Sequence, residues 1–296
     1  VEADRRGVQA MNDETKNSLD YEKAIPISDN IYWVGFYDKP SGLHCNPYLI
    51  IDGEEAVVID GGSRPDFPTV MMKILQTGIH PSSIVAMIYQ HYDPDLVGSI
   101  SNFEDIIGKE DLKIISDTQN NMFIRHYSVS SPLISLDQIN HQFQFSSGRT
   151  LRFVNTPYSH SGGSFITFDE QSGVLFTSDL FGSFGAKWNL FLELDSACHE
   201  CREFAHCVQG LTYCPIPDIL EFHGRIMTSK KALSLALKRI QEIPFSIIAP
   251  QHGSVIPRNQ DVDTILCHLS QLKGVGIDGI LPDQTEPFNK RLEAGP

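Results

Sequence analysis

Gln90-His91-Tyr92-Asp93-Pro94-Asp95-Leu96-Val97-Gly98-Ser99 follows directly on the apolar run Ser83–Tyr89 (SIVAMIY). A short, uninterrupted apolar run of this kind predicts a buried strand. The strand ends at Gln90-His91, and a helix is predicted over Asp95–Ile107 with Asp95 as its N-cap. Strand ends are where side chains from several elements converge. His91, Asp93 and Asp95 alternate across this turn, and in an extended segment such residues share one face. Imidazole and carboxylate together suit iron, zinc or manganese better than calcium.

Three more donors stand behind apolar runs in the same way. His160 follows the predicted strand Thr150–Val154, Asp179 follows Leu175-Phe176-Thr177-Ser178, and His252 follows Ile247-Ile248-Ala249-Pro250-Gln251. A single strand-end histidine is usually a hydrogen-bonded rim residue, and a single turn aspartate is usually a cap. Several such pieces in order form a metal pattern. Three imidazoles and three carboxylates exceed the needs of one ion and fit two ions sharing a carboxylate.

Ile31–Phe36, Pro47–Ile51 and Ala56–Asp60 are predicted as a meander of strands. Asp66–Thr77 has helical spacing and stops at Gly78. Leu112–Ile115, Gln142–Phe145, Ser164–Phe168, Val174–Thr177 and Phe245–Ala249 are predicted strands. Gln119–Tyr127, Pro217–Ile240 and Asp261–Leu272 are predicted helices. Two groups of strands mixed with helices predict a layered α/β domain over residues 23–273. Residues 1–22 and 274–296 are predicted as flexible tails.

The net charge of −14 argues against a nucleic-acid polymer as partner. No apolar stretch is long enough for a membrane span, and the polar first twenty residues lack the centre of a signal peptide. A cytoplasmic setting with reduced thiols is therefore expected. Cys45 and Cys267 stand alone, whereas Cys198, Cys201, Cys207 and Cys214 cluster. The cluster reads either as a second metal or redox site or as ordinary thiols.

These motifs resemble the metallo-β-lactamase superfamily, and within it the di-iron domain of flavodiiron proteins and stand-alone oxygen-binding di-iron proteins. The blocks that carry the resemblance are Asp29-Asn30-Ile31-Tyr32-Trp33-Val34-Gly35, Asn46-Pro47-Tyr48-Leu49-Ile50, Gly173 to Gly182 and Ile248-Ala249-Pro250-Gln251-His252-Gly253. The resemblance implies a four-layer αβ/βα sandwich. It implies that His91, Asp93 and His160 bind one iron, that Asp95 and His252 bind the other, and that Asp179 bridges them. It also implies a homodimer.

Two positions depart from the family's H-x-E-x-D-H pattern. Asp93 stands where flavodiiron proteins have glutamate, and Leu96 where they have histidine. A carboxylate at position 93 favours redox iron over hydrolytic zinc. Leucine at position 96 opens coordination space on the second ion, which water or another side chain would fill; His44 or His223 could do so, but neither matches a family ligand and each reads first as structural. The expected cofactor is two iron ions, with manganese or zinc as alternatives. The expected small molecule is dioxygen, bound by a sensor or by an oxidoreductase. The alternative is a two-metal hydrolase acting on a small phosphoester such as a cyclic dinucleotide, or on another ester or thioester. No stretch after Val255 reads as a flavin-phosphate loop, so an external electron donor or signalling partner is expected. Tyr92, Tyr158 and Phe181 flank the donors and either line a pocket or simply pack. Gln90 and Ser178 precede donors and are expected to support them.

Overall fold

The runs Glu55–Ile59 and Ile84–Ile88 have almost no polar side chain between them, so neither can present a face to water. Both become neighbouring parallel strands inside a sheet, with apolar residues buried on both sides. The computed structural model describes residues 19–36, 43–127, 130–185, 187–201, 213–258 and 260–280. Most of both predicted tails lies outside these residues.

The first sheet runs in chain order: β1 (Ile25–Ser28), β2 (Ile31–Trp33), β3 (Tyr48–Asp52), β4 (Glu55–Ile59), β5 (Ile84–Ile88), β6 (Lys113–Ser116) and β7 (Leu133–Ser135). Pairing is antiparallel up to β4 and parallel from β4 to β7. The second sheet contains β8 (Gln142–Gln144), β9 (Thr150–Asn155), β10 (Phe165–Asp169), β11 (Val174–Phe176), β12 (Ile247–Ala249) and β13 (Ile256–Pro257). Its order is β13-β12-β11-β10-β9-β8, with β11 and β12 parallel.

Three apolar clusters define the layers. One lies between the sheets and joins Trp33, Tyr48, Ile50 and Ile88 to Phe153, Phe165, Phe176 and Ile247. A second joins the opposite face of the first sheet to the helices at Phe67–Gln76 and Ile100–Ile107. The third joins the second sheet to the helices at Ile216–Ile226, Lys230–Gln241 and Gln260–Gln271. The α/β class and the helix–sheet–sheet–helix layering thus follow from alternation along each strand.

Local departures from the predicted elements have physical causes. β1, β7 and β13 are two to four residues long and carry too little periodicity to be read. The helix predicted over Asp95–Ile107 is two helices, Pro94–Val97 and Ile100–Ile107, broken at Gly98-Ser99. That over Pro217–Ile240 is also two, because Met227 turns extended and Ser229 caps a new helix by accepting from Ala232 N–H at 3.2 Å. Asp93, not Asp95, occupies the N-cap of the first short helix, and Pro94 at its first position starts it.

Gln90 clasps the two sheets at one edge. Its side-chain amide donates to Phe176 O at 2.9 Å and Phe165 O at 3.3 Å, and its backbone carbonyl accepts from Phe165 N–H at 3.2 Å. Its expected role beside a donor is thus replaced by one between strands.

Candidate metal centre

The edge that Gln90 holds is where four strand ends of the two sheets meet. His91 is the third residue past β5, Asp179 the third past β11 and His252 the third past β12, while His160 follows β9 across a tight turn. His91 Nε2 lies 3.8 Å from Asp179 Oδ1, and His252 Nε2 lies 3.7 Å from the same oxygen. That oxygen is buried and accepts no hydrogen bond. His91, His160 and Asp179 form one group of donors within mutual reach, and Cys45, Asp95 and His252 form a second.

Asp93 is placed differently from the extended-face expectation. Its backbone is extended, but the following residues are already helical, so Asp93 and Asp95 are related by a helix start. The Asp93 carboxylate makes no capping bond and turns to His160 Nε2 at 2.8 Å, with His91 Nε2 at 4.0 Å. Asp95 Oδ2 lies 3.3 Å from His252 Nε2.

All three imidazoles direct Nε2 inward because Nδ1 is held from outside. His91 Nδ1 pairs with Ser178 Oγ at 2.9 Å, His160 Nδ1–H donates to Ile226 O at 3.4 Å, and His252 Nδ1–H donates to His44 O at 2.6 Å. Such outer partners are what fix ring orientation in metal sites. The turns are tight. His160 has φ 122°, and Tyr158, Ser178 and Phe181 also have positive φ, so strain is concentrated beside these donors.

Mutual electrostatics follow. Burial works to raise the Asp95 carboxyl, but hydrogen bonding to His252 and its charge outweigh this and hold it well below the usual carboxylate range. Burial works to raise the Asp93 carboxyl too, but the His160 hydrogen bond holds it below its ordinary value. Burial opposes protonation of His160, yet the Asp93 hydrogen bond and the Asp179 charge raise it to about 9. The site therefore gathers protons where cations fit, and metal binding would expel them.

Spacing supports that fit. With metal bonds of about 2.1 Å to nitrogen or oxygen and about 2.3 Å to sulfur, tetrahedral donors lie about 3.4 Å apart, or about 3.6 Å when one is sulfur. The spacings to Asp179 Oδ1 and between Asp95 and His252 fall near these values.

Other expected residues stand apart. Leu96 is buried in the helix–sheet core. His223 Nδ1–H donates to Ile219 O at 2.7 Å and its Nε2 accepts from Phe181 N–H at 3.0 Å, so it cannot fill the place opened at Leu96. His44 meets the site through its carbonyl, with its ring against Trp188 at 4.4 Å. Tyr92 stacks on Phe123, Tyr158 is largely exposed, and Phe181 is buried in the apolar core of the second sheet. Among the described residues neither donor group contains Cys198, Cys201 or Cys214, and Cys207 lies outside them.

Cys45 is the residue that the sequence did not disclose. Its Sγ lies 3.7 Å from Asp95 Oδ2. The placement is built by the next residue. Asn46 N–H donates to Gln251 O at 2.8 Å, and its side-chain amide donates to Pro250 O at 3.0 Å and Gly253 O at 2.8 Å. The segment carrying Cys45 is thereby zipped to the loop carrying His252, although the two are 208 residues apart at His44 and His252.

His223 gives a pH prediction. Burial lowers its imidazole to about 4, whereas an unfolded histidine titrates near about 6.5. Between these values the unfolded chain takes up a proton that the folded chain refuses. The stability is present above about 6.5 and is lost as pH falls through the folded value, by up to about 3 kcal/mol. His223→Gln is expected to reduce this loss. Denaturant midpoints of metal-free protein, compared near neutrality and near pH 4.5, check it; an unaltered acid sensitivity in the variant refutes it.

Comparison with known proteins agrees with this architecture. The flavo-diiron protein FprA2 of Clostridium acetobutylicum is 25% identical over 251 residues, covering 79% of this chain and 58% of its own length. The anaerobic nitric oxide reductase flavorubredoxin of Vibrio vulnificus is 26% identical over 253 residues, covering 79% of this chain and 47% of its own. The chain thus spans about half the length of these curated relatives. A solved structure described as the peroxy diiron species of chemotaxis sensor ODP aligns with a TM-score of 0.66 at 25% identity, covering 84% of this chain and 93% of that one. Among the described residues no helix is long and apolar enough to cross a membrane. A family model described as ODP family beta lactamase matches residues 43–253, a stretch that holds both donor groups, and the chain belongs to that family.

Proposed function

We propose that this protein is a di-iron protein that binds dioxygen. The observation that carries the reading is Asp179 Oδ1, a buried carboxylate oxygen without a hydrogen bond, placed between the Nε2 atoms of His91 and His252. A buried anionic oxygen so placed is stabilised by cations on both sides. His91, Asp93 and His160 would hold one ion, Asp95 and His252 the other, with Asp179 between them. The mixed imidazole and carboxylate set suits iron, and two of the relatives named above, FprA2 and the chemotaxis sensor, are described with the word diiron.

When bound, ferrous ions supply electrons and coordination positions for a diatomic gas. The chain supplies the rest. Ser178, Ile226 O and His44 O lock each imidazole with Nε2 inward. Leu96, buried in the core, contributes no donor where the wider family has histidine. The test is anaerobic loading with ferrous iron, elemental analysis, and an optical spectrum before and after admitting air. Two irons per chain and a spectral change on exposure are expected. A protein that binds no iron, or binds it with no optical response to air, refutes the proposal.

A further inference from the structure

Leu96 is buried and offers no donor, and a distant part of the chain brings a thiol to Asp95 and His252. We propose that the Cys45 thiolate is a direct ligand of the metal held by Asp95 and His252, a reading that rests on the two-ion centre above. Cys45 Sγ, a carboxylate oxygen of Asp95 and a ring nitrogen of His252 all lie within 4.8 Å of one another. The Sγ to Asp95 Oδ2 separation is 3.7 Å and the Asp95 Oδ2 to His252 Nε2 separation is 3.3 Å. A tetrahedral ion sets these edges at about 3.6 Å and about 3.4 Å.

The second observation is independent of the cysteine. Asp179 is 2% exposed, its Oδ1 has no hydrogen-bond partner, and that oxygen faces His252 Nε2 at 3.7 Å. Asp179, shared with the first group, would add a second carboxylate to the thiol, imidazole and carboxylate of this one. All four residues come from segments that the side-chain amides of Gln90 and Asn46 fasten together by donating to backbone carbonyls, so the cluster is held in place and is not a chance exposure.

Cys45 S–H donates to Asp95 Oδ2. Metal binding replaces that proton, which leaves to solvent, and the sulfur electron pair makes the new bond. No oxidant is needed. Four protein donors restore the count lost at position 96 and still leave room on an ion of higher coordination number for a small molecule. A thiolate also makes the second ion chemically unlike the first, which has only nitrogen and oxygen donors. That asymmetry would bias which ion meets the gas.

The test uses the full chain loaded anaerobically with ferrous iron, or with cobalt(II) as a spectroscopic substitute. Iron-edge X-ray absorption of the wild-type protein is expected to show one sulfur neighbour per two irons at about 2.3 Å. Cobalt-loaded protein is expected to show a thiolate charge-transfer band. Cys45→Ser should lose both signals and bind the second equivalent at least about tenfold more weakly. A variant with every cysteine except Cys45 changed to serine should keep them, which guards against a Cys45→Ser protein that fails to fold. Two bound irons without a sulfur neighbour would overturn the Cys45 assignment and leave the two-ion centre intact. A sulfur signal that survives in folded Cys45→Ser would overturn it as well. A chain that binds no metal overturns both.

Discussion

Asp179→Asn is expected to strip the protein of both metal ions. The side chain keeps its size but loses the negative charge that both ions would share, and its amide hydrogens would face cations. Even outer partners of a ligand change metal affinity by about 10–100-fold. A ligand between two ions should change each affinity by at least about 100-fold. Bound metal stabilises the folded state by about 2.7 kcal/mol when its concentration is about 100 times the dissociation constant. The variant should therefore lose both the iron and the thermal stabilisation that iron confers. Iron per chain after desalting should fall from two towards zero, and a chelator should lower the Tm of the wild type but not of the variant. Retention of two irons by the variant would remove the central role given to this oxygen.

The largest effect on folding is expected at the far end of the sandwich. Arg149 Nε and Nη2 donate to the two oxygens of Asp169 at 3.0 and 2.5 Å, and Arg149 Nη1 donates to Ile51 O of the other sheet at 3.2 Å. Both charged side chains are fully enclosed. Asp169 also accepts from Ser172 N–H at 3.3 Å and from the Ser172 hydroxyl. Asp169→Ala leaves a buried guanidinium without its counter-charge, which costs about 3–5 kcal/mol. Against a typical total of about 5–15 kcal/mol, that is a large share. Replacing both residues with apolar ones of similar volume should cost much less, because the desolvation penalty disappears with the charges. Denaturant unfolding of the three proteins measures this. The folded fraction of Asp169→Ala should still hold two irons, since the pair lies at the opposite ends of β9 and β10 from His160. A loss below about 1 kcal/mol would show that the pair matters little.

The contrast between legible and hidden features is physical. β4, β5 and β12 were readable because an apolar run bounded by turn residues has few alternatives. The donors behind such runs were readable as candidates for the same reason: a polar residue ending a buried strand has little to do but face its edge. β1, with a proline in four residues, had no such signal. Asp93 and Asp95 kept the right spacing with the wrong local geometry, because Pro94 starts a helix between them. Cys45 was hidden because its neighbours Asp95 and His252 come from other parts of the chain, brought together by Asn46 and by the His252 bond to His44 O. Gln90 was expected near a donor, but its amide found three acceptors across the gap between sheets.

The segment holding Cys45 is fastened to the loop of His252, and this has a consequence for biosynthesis. A ribosome delivers the chain from its amino end, so Cys45 emerges before Asp95 and well before His252. On the Cys45 proposal, the donor set of the second ion is complete only once His252 has emerged and Asn46 has closed onto its loop.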